Sequence, residues 1–394
     1  MDIRLLKTTG ELTTQGEFKK FAQDCARVCY SDKDWEDLEQ EAFNSGLVDK
    51  RIIPSGHHSV FEHMNLTFYF EEMPKALVMA FNNEKQYATS EKSARYTQMD
   101  SIEPLQKELY DKWMGILEPK IKEVASEENF PKLYQQGSDG KTTAQKLAQE
   151  NARYMTSVFT PTKMVHTLNL RQLNFIMNQF ESFSYKSDET KFNKSLAMDM
   201  AEFNSHAYPI FGVPGLQNQT DRHLSLFGKG LEQLTGSKVV DEHFGHTYST
   251  MYPLSFAGLA QAQRHRTIDY HIVTGTAGTD MVNEYFVPKL IRNDLELLSE
   301  WVEDLSKVSE TDFPQGQLLM VAERGKLEDF RSKAILRLCG HAQYEIMEST
   351  KGTAQKYAAS FPTTEDWVSP KCQQGMHCAG SCAWGGKYAL ERAL

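Results

Sequence analysis

The sequence lacks long apolar runs and a dense set of cysteines. No stretch approaches the roughly 18 apolar residues that a membrane-spanning helix needs, so we expect no membrane partner. The first residues carry no apolar segment of the kind found in secretory signals. Six cysteines in 394 residues, without such a signal, argue for a reducing compartment and against a disulfide framework. These absences predict a cytoplasmic protein.

The sequence also lacks an excess of basic residues. Its formal net charge is -10, and no strongly basic local patch offsets it, so a nucleic-acid partner is not expected. A small anionic ligand held by a few arginines remains compatible with an acidic chain. Charge therefore favours a small-molecule partner over a polyanion.

Such arginines stand out at Arg264, His265 and Arg266, directly after the apolar run Tyr252–Leu259. Guanidinium groups are planar, permanently charged five-donor forks that suit phosphates and electron-rich heterocycles. Two of them beside an imidazole indicate an anion-binding rim. The alternative is that they cap the negative end of a helix. The residues alone leave both interpretations open.

Local patterns predict several elements. Alternation at Leu66, Phe68 and Phe70 predicts a half-buried strand. Ser59 and Glu62 fit a capping box that would start a helix. The polar run 82–96 reads as a surface loop. Helices are expected over the charge-rich segment 101–150, around 166–174 and over 287–305.

The chain reads as two related halves. Each has a Gly-His-Ser element, an apolar element, a polar loop and long helices in the same order, which indicates an internal duplication. The segment 206–237 is rich in proline, glycine and polar residues. We therefore expect a first domain at 1–205, a linker at 206–237, a second domain at 238–370 and a Cys/Gly-rich tail at 371–394.

The first half resembles the flavin-dependent thymidylate synthases. The resemblance rests on these landmarks, which occur in the family's order: Gly56-His57-x-Ser59-x-x-Glu62-His63, Glu91-x-Ser93-Ala94-Arg95-Tyr96, Ala152-Arg153 and Asn169-x-Arg171. The family's Arg-His-Arg signature is replaced here by Asn83, Glu84 and Lys85, although Ser93 is kept.

The second half resembles the same family in a complementary way. It keeps Gln261 and Arg264-His265-Arg266, but has Thr274 where the signature serine falls. It also keeps the late arginine as Arg337, followed by Ala342, Gln343, Glu345 and Ile346, whereas the first half has Phe180 at that place. Opposite losses in two copies predict one composite site and one dead site.

The resemblance implies an α+β fold of two tandem synthase-like domains, each a small antiparallel sheet with long helices, that form a pseudo-dimer. Because family members are homotetramers, it also implies a homodimer of tandem chains. The implied activity is methylation of dUMP to dTMP with bound FAD, NADPH and methylenetetrahydrofolate. Hydroxymethylation or another modification of a different pyrimidine nucleotide, and a non-catalytic nucleotide-binding relative, are the alternatives.

The resemblance also assigns roles to residues. Those implied for FAD are His57, Ser59, Glu91, Asn169, Arg171, Arg264, His265 and Arg266. Those implied for dUMP are Gln261, Arg264, Glu91, Ser93, Arg95, Arg153 and Arg337. Arg337 would act in catalysis by stabilising negative charge on the pyrimidine.

The C-terminal tail adds a separate possibility. Cys372, Cys378 and Cys382 lie within eleven residues, with Cys339 elsewhere in the chain. Three thiolates and one further ligand would suit tetrahedral zinc or an iron–sulfur cluster. The alternative is a reduced tail without a metal.

Overall fold

The computed structural model describes residues 1–99, 101–186, 190–216, 242–273, 284–364, 366, 369–378 and 382–384. These residues form two compact units, which lie within Met1–Lys92 plus Thr162–Gly228 and within Ser93–Pro161 plus Lys229–Leu394. Each unit combines helices with antiparallel strand pairs, which confirms the α+β prediction. Among the described residues, no helix has the length and hydropathy to cross a bilayer.

The first unit is built on a four-stranded sheet of order β1-β2-β4-β3. Its main elements are β1 (Asp2–Thr8), α1 (Gln15–Val28), β2 (Asn65–Pro74), α2 (Lys75–Phe81), β3 (Ala88–Glu91), β4 (Pro161–Asn169), α5 (Leu170–Lys186) and α6 (Lys191–Phe211). Leu66, Phe68 and Phe70 are buried on one face of β2, which confirms the predicted strand.

The second unit is built on a sheet of order β5-β6-β8-β7. Its main elements are α3 (Pro104–Val124), α4 (Thr143–Ala152), β5 (His243–Phe244), β6 (Thr247–Ser255), α7 (Phe256–Ala262), β7 (Asp269–Ile272), α8 (Leu295–Thr311), β8 (Leu318–Lys326), α9 (Leu327–Arg337) and α10 (Tyr344–Ser360). Its apolar core joins α3 and α4 to α8 through buried Trp113, Leu117, Ala148 and Trp301.

The two sheets repeat one order of elements. In each, the second strand leads into a helix of 7 residues, then a strand of 4 residues, then a strand of 9 residues that leads into a further helix. Asn83–Lys85 and Arg264–Arg266 both start two residues after that first helix ends. Phe180 and Arg337 are each the eleventh residue of their helices, α5 and α9.

Several local predictions are wrong, because distant partners override local signals. Residues His58–His63 form a short 3₁₀ helix without a side-chain cap, so Ser59 and Glu62 make no capping box. The polar run 82–96 is not simply a loop, since Ala88–Glu91 pairs with β4 and Asn83 and Glu84 are buried. The helix expected around 166–174 starts only at Leu170, after a strand.

Two boundaries also differ from expectation. The helix predicted over 287–305 begins later, at Leu295, where the Asp294 side chain accepts a hydrogen bond from the N–H of Leu297. Helix α6 continues to Phe211, so the first residues of the predicted linker are helical. Residues 217–241 lie outside the described part of the chain.

Candidate active site

The Arg264-His265-Arg266 segment continues directly from α7 in the second unit. The Ser255 side chain caps the start of α7 by accepting from the N–H of Gly258 at 3.0 Å. At the other end, the N–H of His265 donates to the carbonyl of Ala262 at 3.0 Å. The segment is therefore held in place by the last turn of a buried helix.

Arg337, the last residue of α9, points at this segment. Its Nε donates to Nε2 of His265 at 2.7 Å, and its Nη2 donates to the backbone carbonyl of Gln261 at 3.2 Å. With the Gln261 amide oriented to satisfy its neighbours, its oxygen accepts from Arg95 at 2.9 Å and from Arg337 at 3.3 Å. Gln261 thus joins two arginines from distant parts of the chain.

Two further arginines lie in the same unit. Arg95 forms an ion pair through its Nε with Glu150 and donates from Nη2 to the carbonyl of His341 at 2.8 Å. Arg153 is buried and donates from Nη2 to the side-chain oxygen of Gln343, while its Nε has no hydrogen-bond partner. An unpartnered guanidinium N–H in a buried place is costly unless a ligand accepts from it.

A buried hydrogen-bond network fixes Arg153. Gln343 donates to the Tyr154 hydroxyl, and Tyr154 donates to Glu345 at 2.7 Å. Glu345 also accepts from the backbone N–H and the hydroxyl of Ser255, at 2.6 and 2.7 Å. Burial raises the pKa of Glu345, which the donors from Ser255 and Tyr154 oppose. The network therefore ties Arg153 to the start of α7.

Burial lowers the pKa values of both His265 and Arg337. The pKa of His265 is lowered to about 2, mainly by burial and then by the charges of Arg337 and Lys333. Burial also lowers the pKa of Arg337, to about 10. At neutral pH the pair therefore consists of a neutral imidazole and a charged guanidinium.

The first unit contains Arg171, Asn169, Glu91, His57 and Ser59. Arg171 pairs through Nη1 with Glu62 at 2.5 Å, and its Nε is buried without a partner. The Asn169 side chain accepts from the N–H of Gln172 at the start of α5. The Glu91 side chain is buried and forms an ion pair with Lys75. His57 and Ser59 are exposed.

The second unit thus brings together Arg95, Arg153, Gln261, His265 and Arg337, which come from both halves of the sequence. Ser93, at the start of the same unit, begins a turn in which its carbonyl accepts from the N–H groups of residues 96 and 97. Arg264 is half-buried and Arg266 is exposed. Thr274 lies outside the described residues.

Sequence reasoning assigned no role to Glu150, Tyr154, Gln343 or Glu345. Their contacts join positions 55 to 191 residues apart, so no local pattern reports them. Gln343 and Glu345 do lie in the family motif that begins at Arg337, and this motif was the sequence signal that could have pointed to them. In the first unit, Phe180 is buried against Phe81 and Phe203, where an aromatic ring stands in place of the arginine.

The cysteine tail gains no support as a metal site. Within the described residues, no three His, Cys, Asp or Glu side chains are placed to hold a metal ion. Cys372 and Cys378 are exposed, and Cys382 is half-buried. Cys382 lies so close to Gly340 that a Cβ there would be 2.7 Å from its sulfur. Residues 379–381 lie outside the described part.

The known proteins that this chain resembles in sequence belong to one family. Residues 11–182 match the family model of the thymidylate synthase complementing proteins. A flavin-dependent thymidylate synthase of Clostridium tetani is 28% identical over 177 residues, which cover 41% of this chain and 69% of the relative. One from Thermococcus onnurineus is 27% identical over 36% of this chain and 59% of the relative.

These matches confirm the resemblance to the flavin-dependent thymidylate synthases and, with it, the prediction of an enzyme of this transferase type. Among solved structures, a UMP/dUMP methylase, PolB, from Streptomyces cacaoi is similar over 53% of this chain and 90% of its own, with 17% identity and a TM-score of 0.32. Thymidylate synthase X from Helicobacter pylori, solved with FAD and dUMP, covers 55% and 95%, with 16% identity and a TM-score of 0.29.

Proposed function

We propose that this chain is a flavin-dependent methyltransferase that makes dTMP from dUMP, with methylenetetrahydrofolate and NADPH as co-substrates. The observation that carries the proposal is the convergence of Arg95, Arg153 and Arg337 around Gln261 and Gln343 in the second unit. The resemblance assigns all three arginines to the nucleotide. No nucleic acid or membrane partner is proposed.

The residues fit a nucleotide monophosphate. A phosphate monoester needs several charge-assisted donors, and Arg153 retains a buried Nε–H without a partner. The Arg95 side chain is held by Glu150 and the carbonyl of His341, so its guanidinium is fixed before a ligand arrives. Preorganised donors lose little entropy on binding.

Arg337 is the residue proposed to act on the pyrimidine. Methylation at C5 replaces a C–H bond by a C–C bond, so the C5 hydrogen must leave as a proton. Negative charge on the ring makes C5 a better nucleophile, and a charged guanidinium aimed at the ring edge stabilises that charge. FAD, when bound, supplies the hydride chemistry.

The residues also fit FAD. Arg171 has a buried Nε–H without a partner in the first turn of α5, and a guanidinium donor suits an anionic group. We propose that Ser59, Asn169 and Arg171, together with Arg264–Arg266, hold the cofactor as the resemblance implies. His57 and Glu91 complete the proposed set.

We further propose that the chain is a tandem duplication with one working site. The repeated order of strands supports it, as do the equal placements of Asn83–Lys85 with Arg264–Arg266 and of Phe180 with Arg337. Residues of both sequence halves meet within the second unit, which is what a composite site requires. Two such chains would form a dimer.

The test is a direct assay of the purified protein. Its visible absorption should show bound flavin, and incubation with dUMP, methylenetetrahydrofolate and NADPH should yield dTMP by mass spectrometry. Omission of the folate or of NADPH should abolish the product, and UMP in place of dUMP tests the choice of sugar. Flavin-free protein, or flavin-bound protein that forms no methylated pyrimidine, would overturn the proposal.

A further inference from the structure

We infer that His265 is a positioning residue for Arg337, which it holds as a neutral hydrogen-bond acceptor. The inference rests on the proposed function and deepens it, because the resemblance assigns His265 only to the cofactor. It starts from the 2.7 Å contact between Nε of Arg337 and Nε2 of His265.

The donors of Arg337 can be counted one by one. A guanidinium has five N–H groups and no acceptor. The single Nε–H is used by His265, one Nη2–H by the carbonyl of Gln261, and one Nη1–H by the Gln261 side chain. One N–H therefore remains on each terminal nitrogen. Two neighbouring donors suit two neighbouring acceptors on the edge of a pyrimidine ring.

The contact also fixes the tautomer of the imidazole. Because arginine only donates, Nε2 of His265 must be unprotonated, and the ring proton must sit on Nδ1. Burial and the charges of Arg337 and Lys333 keep the ring neutral by lowering the pKa of His265 to about 2. The Nδ1–H stays available for a cofactor contact, so both roles are compatible.

A neutral acceptor is the suitable partner for this arginine. A carboxylate would orient the guanidinium equally well, but it would also offset the positive charge that a negative pyrimidine requires. Arg95 shows that arrangement, since Glu150 compensates its charge. Lys333, on the same helix as Arg337, is likewise paired with buried Glu323. In the described residues, Arg95 and Lys333 thus pair with carboxylates, whereas the Nε of Arg337 pairs with an imidazole.

The experiment compares His265→Gln with His265→Leu. The glutamine oxygen can take the place of Nε2 and accept from Arg337, whereas leucine fills similar space without an acceptor. We expect the leucine variant to lower kcat of the flavin-bound enzyme by about 10²-fold, the loss typical of a misaimed group, and to lose less flavin than Arg264→Ala. The glutamine variant should recover at least about tenfold of that loss, on the same scale.

A double-mutant cycle separates positioning from packing. In an Arg337→Lys background, which lacks the Nε fork, His265→Leu should change kcat by less than about twofold if both act as a unit. Equal damage from the glutamine and leucine substitutions, additive losses in the cycle, or flavin loss as severe as in Arg264→Ala would each overturn the inference.

A spectroscopic readout keeps this test apart from the proposed function. If the protein forms no dTMP at all, the proposed activity fails, but the His265–Arg337 contact can still be measured. The ¹⁵N NMR signal of His265 Nε2 should report an unprotonated nitrogen that does not titrate between about pH 6 and 8. It should shift in Arg337→Lys. A titrating His265 would contradict the inference directly.

Discussion

Gly258→Ala tests the buried network that fixes Arg153. Gly258 lies in α7, and a Cβ there would be 2.7 Å from the Leu254 side chain and 2.8 Å from the carboxyl carbon of Glu345. Contacts below 3.0 Å force a shift. The Glu345 carboxylate can move only by weakening its hydrogen bonds from Ser255 and Tyr154.

The magnitude follows from three terms. Alanine is favoured over glycine in a helix by about 1 kcal/mol. Overpacking costs about 1–3 kcal/mol, and weakening one hydrogen bond to a charged group costs about 1.5–3 kcal/mol. We therefore expect Gly258→Ala to lower the free energy of unfolding by about 1.5–5 kcal/mol and to weaken dUMP binding through Arg153.

Gly352→Ala is the matched control. Gly352 lies inside α10, where a Cβ would meet nothing within 4 Å. There the helix propensity acts alone and should stabilise the protein by about 0.5–1 kcal/mol. Urea denaturation followed by tryptophan fluorescence measures both variants. If Gly258→Ala were as stable as Gly352→Ala, the Glu345 network would not be a rigid support.

Three further predictions concern the site, the charges and the assembly. Arg264→Ala or Arg266→Ala should abolish flavin retention while Lys85→Ala keeps it; equal absorbance loss in all three would contradict one working and one dead site. The pKa of Asp199 is raised to about 7, by burial and then by Glu202. The folded state therefore favours the protonated carboxyl; this stabilisation is fully present below the pKa of the unfolded chain and is lost as the pH rises through about 7. Asp199→Asn should therefore raise Tm above about pH 7 but not near pH 4; the same gain at both pH values in calorimetry would refute it. Light scattering should give a dimer mass, and a monomer or a tetramer would count against the tandem proposal.

The sequence pointed to the candidate site residues but not to the residues that surround them. The Arg-His-Arg segment stood out as an uncommon local pattern, and Arg337 was assigned through the family motif that it begins. The Glu150 and Tyr154 contacts were not visible, since their partners lie 55 and 191 residues away. The capping box at Ser59 failed for the same reason, because Glu62 pairs with Arg171 across 109 residues. The strand at Ala88–Glu91 was hidden by its polar composition, since its pairing with β4 forms it.

The alternatives for the Arg-His-Arg segment were an anion-binding rim and a helix cap. The structure shows that it is Arg337 that donates to a carbonyl of the last turn of α7, at Gln261. Its positive charge is favourable at that negative helix end. The same contact holds the guanidinium beside His265, so Arg337 both caps the helix and shapes the candidate site. No periodicity in the sequence connects positions 72 and 76 residues apart.

The most direct test of the account uses dUMP tritiated at C5 with methylenetetrahydrofolate and NADPH. Methyl transfer to C5 must release the tritium into water, and we propose that Arg337 supplies the charge stabilisation behind that release. The wild-type protein should release tritium in step with dTMP formation. Arg337→Ala should retain flavin and release tritium about 10²–10³-fold more slowly, the usual cost of one donor aimed at developing charge. Arg337→Lys should be impaired nearly as much, because it loses the planar fork. Near-normal release from Arg337→Ala would contradict the account at its central residue.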